Sequence, residues 1–302
     1  MSYHYFVVDA FTETAFGGVP VAVFPDTSDV PHALYATLAS EMVSADTVFI
    51  SKHRDCNRFE FQVFDQYGEA QPGAHALIAG IEALVKSEQI DLIDGKAQIK
   101  LDTVEDCIEA HIDLSSSKHP ILLKQVLNPL HDRFVPSPAE IAALLGLNEA
   151  DIVEGKYSTL ITSCGKPYLI VPVKSYLAVR EASFHQNIWA RTTLPQNLVD
   201  KILLFAPNTD SSGADFHARL ITQKASNHSD PAVSEAMPAF AAYLCMQESV
   251  QTGTHSFTVR RGANEARQSY IHIEMDNTDE PSVNVRIGGS AKATTSAHIL
   301  LD

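Results

Sequence analysis

Four side chains stand where this sequence could handle a proton: Asp46, His75, Asp230 and Glu235. His75 follows Pro72-Gly73-Ala74 at the opening of a helix pattern. Proline suits that place, because the first turn of a helix leaves its N–H groups unused. Gly73 and Ala74 carry almost no side chain, so a ligand could approach those N–H groups, which favour an anion. An anion hole beside a titratable imidazole is one way a chain offers acid–base catalysis. Tight packing around a satisfied, buried histidine is the other reading of the same residues. Asp46 follows Val43-Ser44-Ala45 and leads a strand pattern, which suits a general base at a strand end; a surface turn aspartate is the alternative. Asp230 stands before Pro231 and a second helix pattern, as a helix N-cap or an orienting carboxylate. Glu235 lies in the first turns of that helix, where it complements the helix dipole or meets a ligand.

Other chemistries lack their signatures. There is no glycine-rich dinucleotide or phosphate-loop fingerprint and no GxSxG, and none of the 13 histidines falls into HExxH or a similar ligand spacing. The sequence therefore gives no reason to expect a cofactor or a metal. Cys56, Cys107, Cys164 and Cys245 form no CxxC pair and suit a reduced, cytoplasmic protein. The formal net charge of -15 argues against nucleic acid or an anionic membrane as partner. No apolar run approaches the ~20 residues of a membrane span, and MSYHYFVVDAF enters a strand pattern without the basic start of a signal peptide. The content, 45% hydrophobic and 20% charged in 302 residues, suits one large globular domain or two ordinary ones.

The elements that must position the candidates follow from periodicity. Strands are expected at 5–8, 21–24, 46–51 and 59–64, the last with Phe59, Phe61 and Val63 on one face. Asp65-Gln66-Tyr67-Gly68 is a turn signal, and a buried helix runs from Ala74. A helix is expected at 31–42, and paired strands at 96–101 and 107–112. The stretch 115–120, SSSKHP, is the most linker-like, which places halves at 1–118 and 119–302. In the second half, Pro138 to Leu145 reads as a helix capped by Ser137 and stopped by Gly146. Strands follow at 159–163 and 168–173, then a short helix at 184–192 and a strand at 216–222. A helix from Pro231 to Met246 and strands at 256–260, 270–275 and 283–287 complete the chain.

The halves repeat one another. Gly18-Val19-Pro20-Val21-Ala22-Val23-Phe24-Pro25 aligns with Gly165-Lys166-Pro167-Tyr168-Leu169-Ile170-Val171-Pro172. Phe61 to Phe64 aligns with Phe216 to Arg219, and Pro72 to Ala76 with Pro231 to Glu235, in the same order. A duplicated α/β unit is expected. Two facing copies would bring two helix N-termini to one cleft suited to a small carboxylate. A two-thiol racemase is set aside, because the helix starts read Gly73-Ala74 and Ala232-Val233 rather than cysteine.

Taken together, the motifs resemble those of the PhzF-like proteins, named for the phenazine-biosynthesis isomerase, and at fold level of the diaminopimelate epimerases. Asp9-Ala10-Phe11-Thr12 with Phe16-Gly17-Gly18-Val19-Pro20 is similar to the family's DVFT…PFGGNP, and Glu41 to Phe49 to EMNLSETTF. Glu69 to Leu77 is similar to ExPFCGHAT, Asp215 to Arg219 matches DFHAR, Asp230-Pro231-Ala232 opens DPATGSA, and Val285 to Gly289 resembles VRVGG. The resemblance implies an α+β, diaminopimelate epimerase-like fold of two pseudo-symmetric halves, each a mixed curled β-sheet around a central helix, with the last strand able to return to the first half. It implies a cofactor-independent isomerase of a small carboxylate, often homodimeric; cysteine usage and net charge separately suit a cytoplasmic protein with neither nucleic acid nor membrane as partner.

Carried over by position, the resemblance makes Asp46, His75 and Asp230 catalytic, with Asp46 in the place of the family's glutamate. Gly18, Val19, Gly73, Ala74, Ser234 and Glu235 then bind substrate. The departures are Asp46 for Glu, Val19 for Asn, Gly73-Ala74 for Cys-Gly, and Val233-Ser234-Glu235 for Thr-Gly-Ser. Glu235 brings a negative charge to a carboxylate site, which repels that ligand or reads a cationic group on a different one. Two functions stand side by side: an isomerase with Asp46 as its base, and a catalytically lapsed relative that binds a small molecule or protein partner.

Overall fold

The computed structural model describes the chain except residues 1, 43, 45, 54–56, 66, 105, 116–119, 154, 209–212, 223–230, 262–266, 279, 301 and 302. Asp230, Val43 and most of the linker-like stretch therefore lie outside the described residues. In chain order the elements of the first part are β1 (Ser2–Ala10), β2 (Val19–Phe24), α1 (Tyr35–Glu41), β3 (Asp46–Lys52), β4 (Arg58–Asp65), β5 (Gly68–Ala70), α2 (Ala74–Lys86), β6 (Lys96–Asp102), β7 (Cys107–Asp113) and β8 (Ile121–Leu127). There follow β9 (Leu130–Asp132), α3 (Pro138–Leu145), β10 (Leu160–Cys164), β11 (Lys166–Pro172), α4 (Tyr176–Glu181), α5 (Gln186–Trp189), β12 (Lys201–Pro207), β13 (Phe216–Thr222), α6 (Met237–Cys245), β14 (Gly253–Arg261), β15 (Tyr270–Asn277), β16 (Val283–Gly289) and β17 (Ala291–Leu300). No described helix is long and apolar enough to cross a membrane.

By its contacts the chain divides into one unit of Met1–Gln125, Ala266–Ile271 and Arg286–Asp302, and a second of Val126–Glu265 and His272–Val285. The division falls within β8, after the linker-like stretch, and β17 belongs to the first unit, where it pairs antiparallel along the whole of β1.

In the first unit β1 and β2 are antiparallel, β2 and β3 parallel, β3 and β4 antiparallel, and β4 and β6 parallel. Alternation gives the sheet two apolar faces. On one, Tyr35 of α1 stacks on Phe49 with ring centroids 4.0 Å apart, and Phe49 stacks on Phe24 at 5.0 Å. On the other lies α2, whose residues from Ala74 to Leu84 are all buried. Small residues let it sit close: a Cβ on Gly80 would lie 2.2 Å from Phe61 Cε1 and 3.2 Å from Ile50 Cδ1. The expected face of Phe59, Phe61 and Val63 is this one, and all three are buried. The Asp65 turn forms because its carboxylate accepts the N–H groups of Tyr67 at 2.7 Å and Gly68 at 3.1 Å.

One charge enters this core. The register of β1 and β17 slips between Val7 and Val8, leaving Thr294 as an extra residue. The neighbouring Ala293 N–H donates to the carboxylate of Glu82 on α2. Burial raises the pKa of Glu82, opposed by the charge of Lys86, the Ala293 bond and Lys292. A carboxyl with a raised folded-state pKa stabilises fully below its unfolded-state value, and that contribution is lost as pH rises through the folded one. Glu82→Gln keeps the acceptor and removes the charge. Its melting temperature relative to the wild type is expected to rise between about pH 4 and about pH 7; a difference flat across that window would refute the assignment.

The second unit repeats the pairing pattern: β10 and β11 antiparallel, β11 and β12 parallel, β12 and β13 antiparallel, β13 and β14 parallel. One face of its sheet packs on α3 and α4, with Leu144, Leu145, Val179, Leu204 and Ile221 in a common core. The other gathers the rings of Phe205, Phe216, Phe240 and Tyr243. Helix α3 has the expected limits, a Ser137–Glu140 capping box and a left-handed Gly146.

The helix expected from Pro231 is corrected. A 3-10 turn covers Val233–Ala236, and the α-helix begins only at Met237. Pro238 explains the break: it has no N–H, and its ring would strike the carbonyl four residues back in a continuous helix, so it must stand in a first turn.

Candidate active site

Asp46 is the first residue of β3, held at the strand entry by Ser44, whose Oγ donates to the Asp46 carbonyl at 2.9 Å. His75 is the second residue of α2. The two meet: His75 Nε2 lies 2.7 Å from Asp46 Oδ2. A carboxylate only accepts, so Nε2 carries the hydrogen in this pair. The histidine side chain is 1% exposed and the aspartate 14%. The buried imidazole thus holds one carboxylate oxygen, while the carboxylate retains access to its surroundings. The pair is a carboxylate held in a fixed orientation by an imidazole seated on a buried helix.

The residues around the pair take different parts. Gly73 is the N-cap of α2 with φ -80° and ψ 158°, a conformation open to any residue, and Ala74 is buried behind it. Val19 is buried in β2 opposite Ala10 of β1. It stands two residues before Val21, whose partner in β3 is Asp46. Gly18 has φ +53°, and its N–H already donates to the Gln268 carbonyl at 2.9 Å. Its N–H is therefore committed to the backbone turn.

That turn has an anchor in Asp9. Asp9, 1% exposed, accepts from Arg267 Nη2 at 2.9 Å and from the Phe16 N–H at 2.7 Å. The loop it pins contains two left-handed non-glycine residues, Phe11 and Phe16. Asp9 was visible only as a letter in a matching motif; its partner lies 258 residues away, beyond any local pattern.

In the second unit, Ser234 and Val233 are buried in the 3-10 turn before α6. Glu235 does not present a lone negative charge. Its carboxylate is bonded by the ammonium of Lys201, the first residue of β12, with the two side chains 24% and 21% exposed. Glu235 thus stands as half of an ion pair, partly exposed, rather than as an isolated carboxylate. Tyr168 of β11 donates to the Glu235 carbonyl at 3.2 Å, and its hydroxyl is held well above its ordinary pKa by burial and then by the Glu235 charge. Among the described residues, no group of three or more His, Cys, Asp or Glu is placed to hold a metal ion.

Comparison with known proteins agrees with this architecture. The chain is 22% identical to an uncharacterised isomerase of Mesorhizobium japonicum, over 95% of each chain. It is also 22% identical to the trans-2,3-dihydro-3-hydroxyanthranilate isomerase of Pseudomonas aeruginosa, over 96% of this chain and 97% of the relative. The crystal structure of the Bacillus anthracis phenazine biosynthesis protein of the PhzF family superposes with a TM-score of 0.86 over the whole of both chains at 18% identity, and thereby shares the α+β mixed-sheet fold. The family model described as phenazine biosynthesis-like protein, PhzC-PhzF, matches residues 8–297. With its duplicated sheet-and-helix units and motifs matched from β1 to β16, this chain belongs to the phenazine biosynthesis-like PhzC-PhzF family.

Proposed function

We propose that this protein is a cofactor-independent isomerase that moves a proton on a small carboxylate substrate, with Asp46 as the group that takes the proton. The observation that carries the reading is the 2.7 Å bond between the Asp46 carboxylate and buried His75. The relatives' names, which are those of isomerases, support it at the level of the family.

In this reading Asp46 removes a proton from carbon beside an unsaturated or carboxyl-bearing centre, and the electron pair left behind spreads into that conjugated system. His75 assists by donating Nε2–H to Oδ2, which fixes the carboxylate so that its other oxygen meets the C–H bond. Asp230 orients the substrate. Gly73-Ala74 at the start of α2 and the Gly18-Val19 turn contact it. The protein acts as a homodimer.

Proton NMR in D₂O tests this, with trans-2,3-dihydro-3-hydroxyanthranilate and a panel of cyclic and amino carboxylates. Deuterium is expected to enter one carbon position with the wild type and not with Asp46→Asn. Binding of these compounds by thermal shift, with no exchange in any of them, would overturn the isomerase reading in favour of a lapsed, ligand-binding relative. Exchange that survives Asp46→Asn would move the base to His75.

A further inference from the structure

Among its described residues the first unit leaves three aromatic side chains exposed, Phe16, Tyr67 and Tyr270. Strand register puts all three at the end of the sheet that carries Asp46. β2 and β3 run parallel with Val21 beside Asp46, and Phe16 stands in the loop that enters β2 at Val19. The Tyr270 N–H donates to the carbonyl of Phe11, one residue past the end of β1 and in the same loop. β3 and β4 are antiparallel, and Thr47, the residue after Asp46, is opposite Phe64. The backbone of the next residue of β4, Asp65, therefore passes about 5 Å from that of Asp46. Tyr67 stands in the turn that Asp65 opens, its N–H bonded to the Asp65 carboxylate at 2.7 Å. From that turn β5 leads to Gly73 and on to His75, which holds the Asp46 carboxylate.

A single exposed apolar residue needs no explanation, but Phe16 is also strained. It is 74% exposed and has φ +65°, a left-handed conformation that a bulky L-residue rarely adopts. The fold enforces that conformation: the Phe16 N–H is bonded to buried Asp9, and Asp9 is tied to Arg267. Glycine would take the same backbone freely. Core packing does not call for the ring, since it lies in water, and the turn would be easier without it. Strain kept at such a place points to function. Tyr67, 68% exposed, stands at the same end beside a carboxylate that keeps access to its surroundings. Aromatic rings favour offset-stacked and edge-on contact with other flat π-systems. We propose that Phe16 and Tyr67 are specificity-determining residues that contact the flat ring of the substrate, so that the substrate class is a planar, conjugated ring carboxylate rather than a puckered or open-chain one. This rests on the reading of Asp46 as the base of an isomerase. Neither ring takes part in bond making. Both act on binding, and through it on the placing of the C–H bond before Asp46.

The experiment titrates benzoate and cyclohexanecarboxylate, which share their heavy atoms and differ in planarity, into wild type, Phe16→Gly and Tyr67→Ser by calorimetry. Wild type is expected to bind benzoate at least ~5-fold more tightly than cyclohexanecarboxylate, the scale of an aromatic contact beyond area alone. Each variant is expected to lose about fivefold in benzoate affinity and to hold cyclohexanecarboxylate within about twofold. Phe16→Gly is expected to melt no lower than wild type, because glycine relieves the left-handed backbone. A Phe16→Gly protein that melts lower and loses both compounds alike would show a ring that serves the fold. Wild type binding neither compound, or both equally, would overturn the proposal, and benzoate affinity unchanged in either variant would overturn the assignment of that residue; each result leaves Asp46 to its own test. Unchanged titrations with a variant that falls from dimer to monomer on size exclusion would give the rings to a contact between copies. A kept preference for benzoate, with no deuterium exchange in any carboxylate of the panel, would instead overturn the isomerase reading and leave the aromatic contacts standing.

Discussion

Lengthening Asp46 to glutamate is expected to slow deuterium exchange about a hundredfold, even though glutamate is the residue at this place in the phenazine isomerase motif. One added methylene carries the carboxylate forward by roughly 1.5 Å. The carboxylate in this protein is already seated, with Oδ2 at 2.7 Å from His75 Nε2. His75 cannot retreat, because it is buried in the second position of α2, and that helix is packed along its length. Nor can the start of β3 draw back freely, since Ser44 holds the Asp46 carbonyl and β2 pairs alongside from Val21. The longer side chain must bend away from the imidazole or push past it. Either way the carboxylate is misplaced by about 1 Å or more, an error that costs about two orders of magnitude in rate. Asp46→Asn keeps the shape and removes the proton acceptor; a loss of about a thousandfold is expected, within the usual range for a general base. Rates from the same NMR assay decide the matter. An Asp46→Glu variant as fast as wild type would mean that the His75 bond does not set the position of the base.

Gly18→Ala is expected to destabilise the protein by about 3 kcal/mol or more, read from the urea midpoint. Two penalties combine. With φ +53°, an L-residue at this position pays the left-handed steric penalty of roughly 1–2 kcal/mol. In addition, its Cβ would lie 2.1 Å from the Ala10 carbonyl oxygen. That oxygen belongs to the end of β1, and overpacking against such a neighbour adds about 1–3 kcal/mol. The turn cannot swing aside, because the Gly18 N–H is bonded to Gln268 and Asp9 pins Phe16 two residues earlier. Gly95→Ala separates the two penalties: it has φ +75° and only an ordinary contact, Leu114 Cβ at 3.8 Å, near its would-be Cβ. A loss of roughly 1–2 kcal/mol, the left-handed penalty alone, is expected there. Equal losses at the two positions would show that the close approach to Ala10 is relieved by local movement.

These expectations differ in how far the sequence could carry them. Strands that alternate, such as β4 and β7, and the helix α3 with its Ser137 cap and Gly146 stop, were legible because short-range chemistry decides them. The identity of the two central candidates, Asp46 and His75, came the same way, from a strand start and a helix opening. So did the duplication, since repeated sequence is visible without coordinates. β12 escaped because KILLFAP is buried almost throughout, and a short continuous apolar run does not distinguish strand from helix. β17 escaped for the opposite reason: AKATTSAHIL has no apolar alternation, and pairing with β1 at the other end of the chain makes it a strand. The second central helix was placed too early, because Pro238 competes with the Ala-rich pattern around it and wins by removing an N–H.

The sequence by itself determined which residues were available for chemistry and which local elements would hold them, because capping, alternation and turn geometry act over a few residues. Only the tertiary structure decided which of them meet. It joined Asp46 to His75, Lys201 to Glu235 and Asp9 to Arg267, pairs that strand register and helix docking bring together across long stretches of chain. A charge is costly to bury alone, so where the fold brought each carboxylate in, it also had to bring a partner. Composition and local pattern carry no record of which partner that would be.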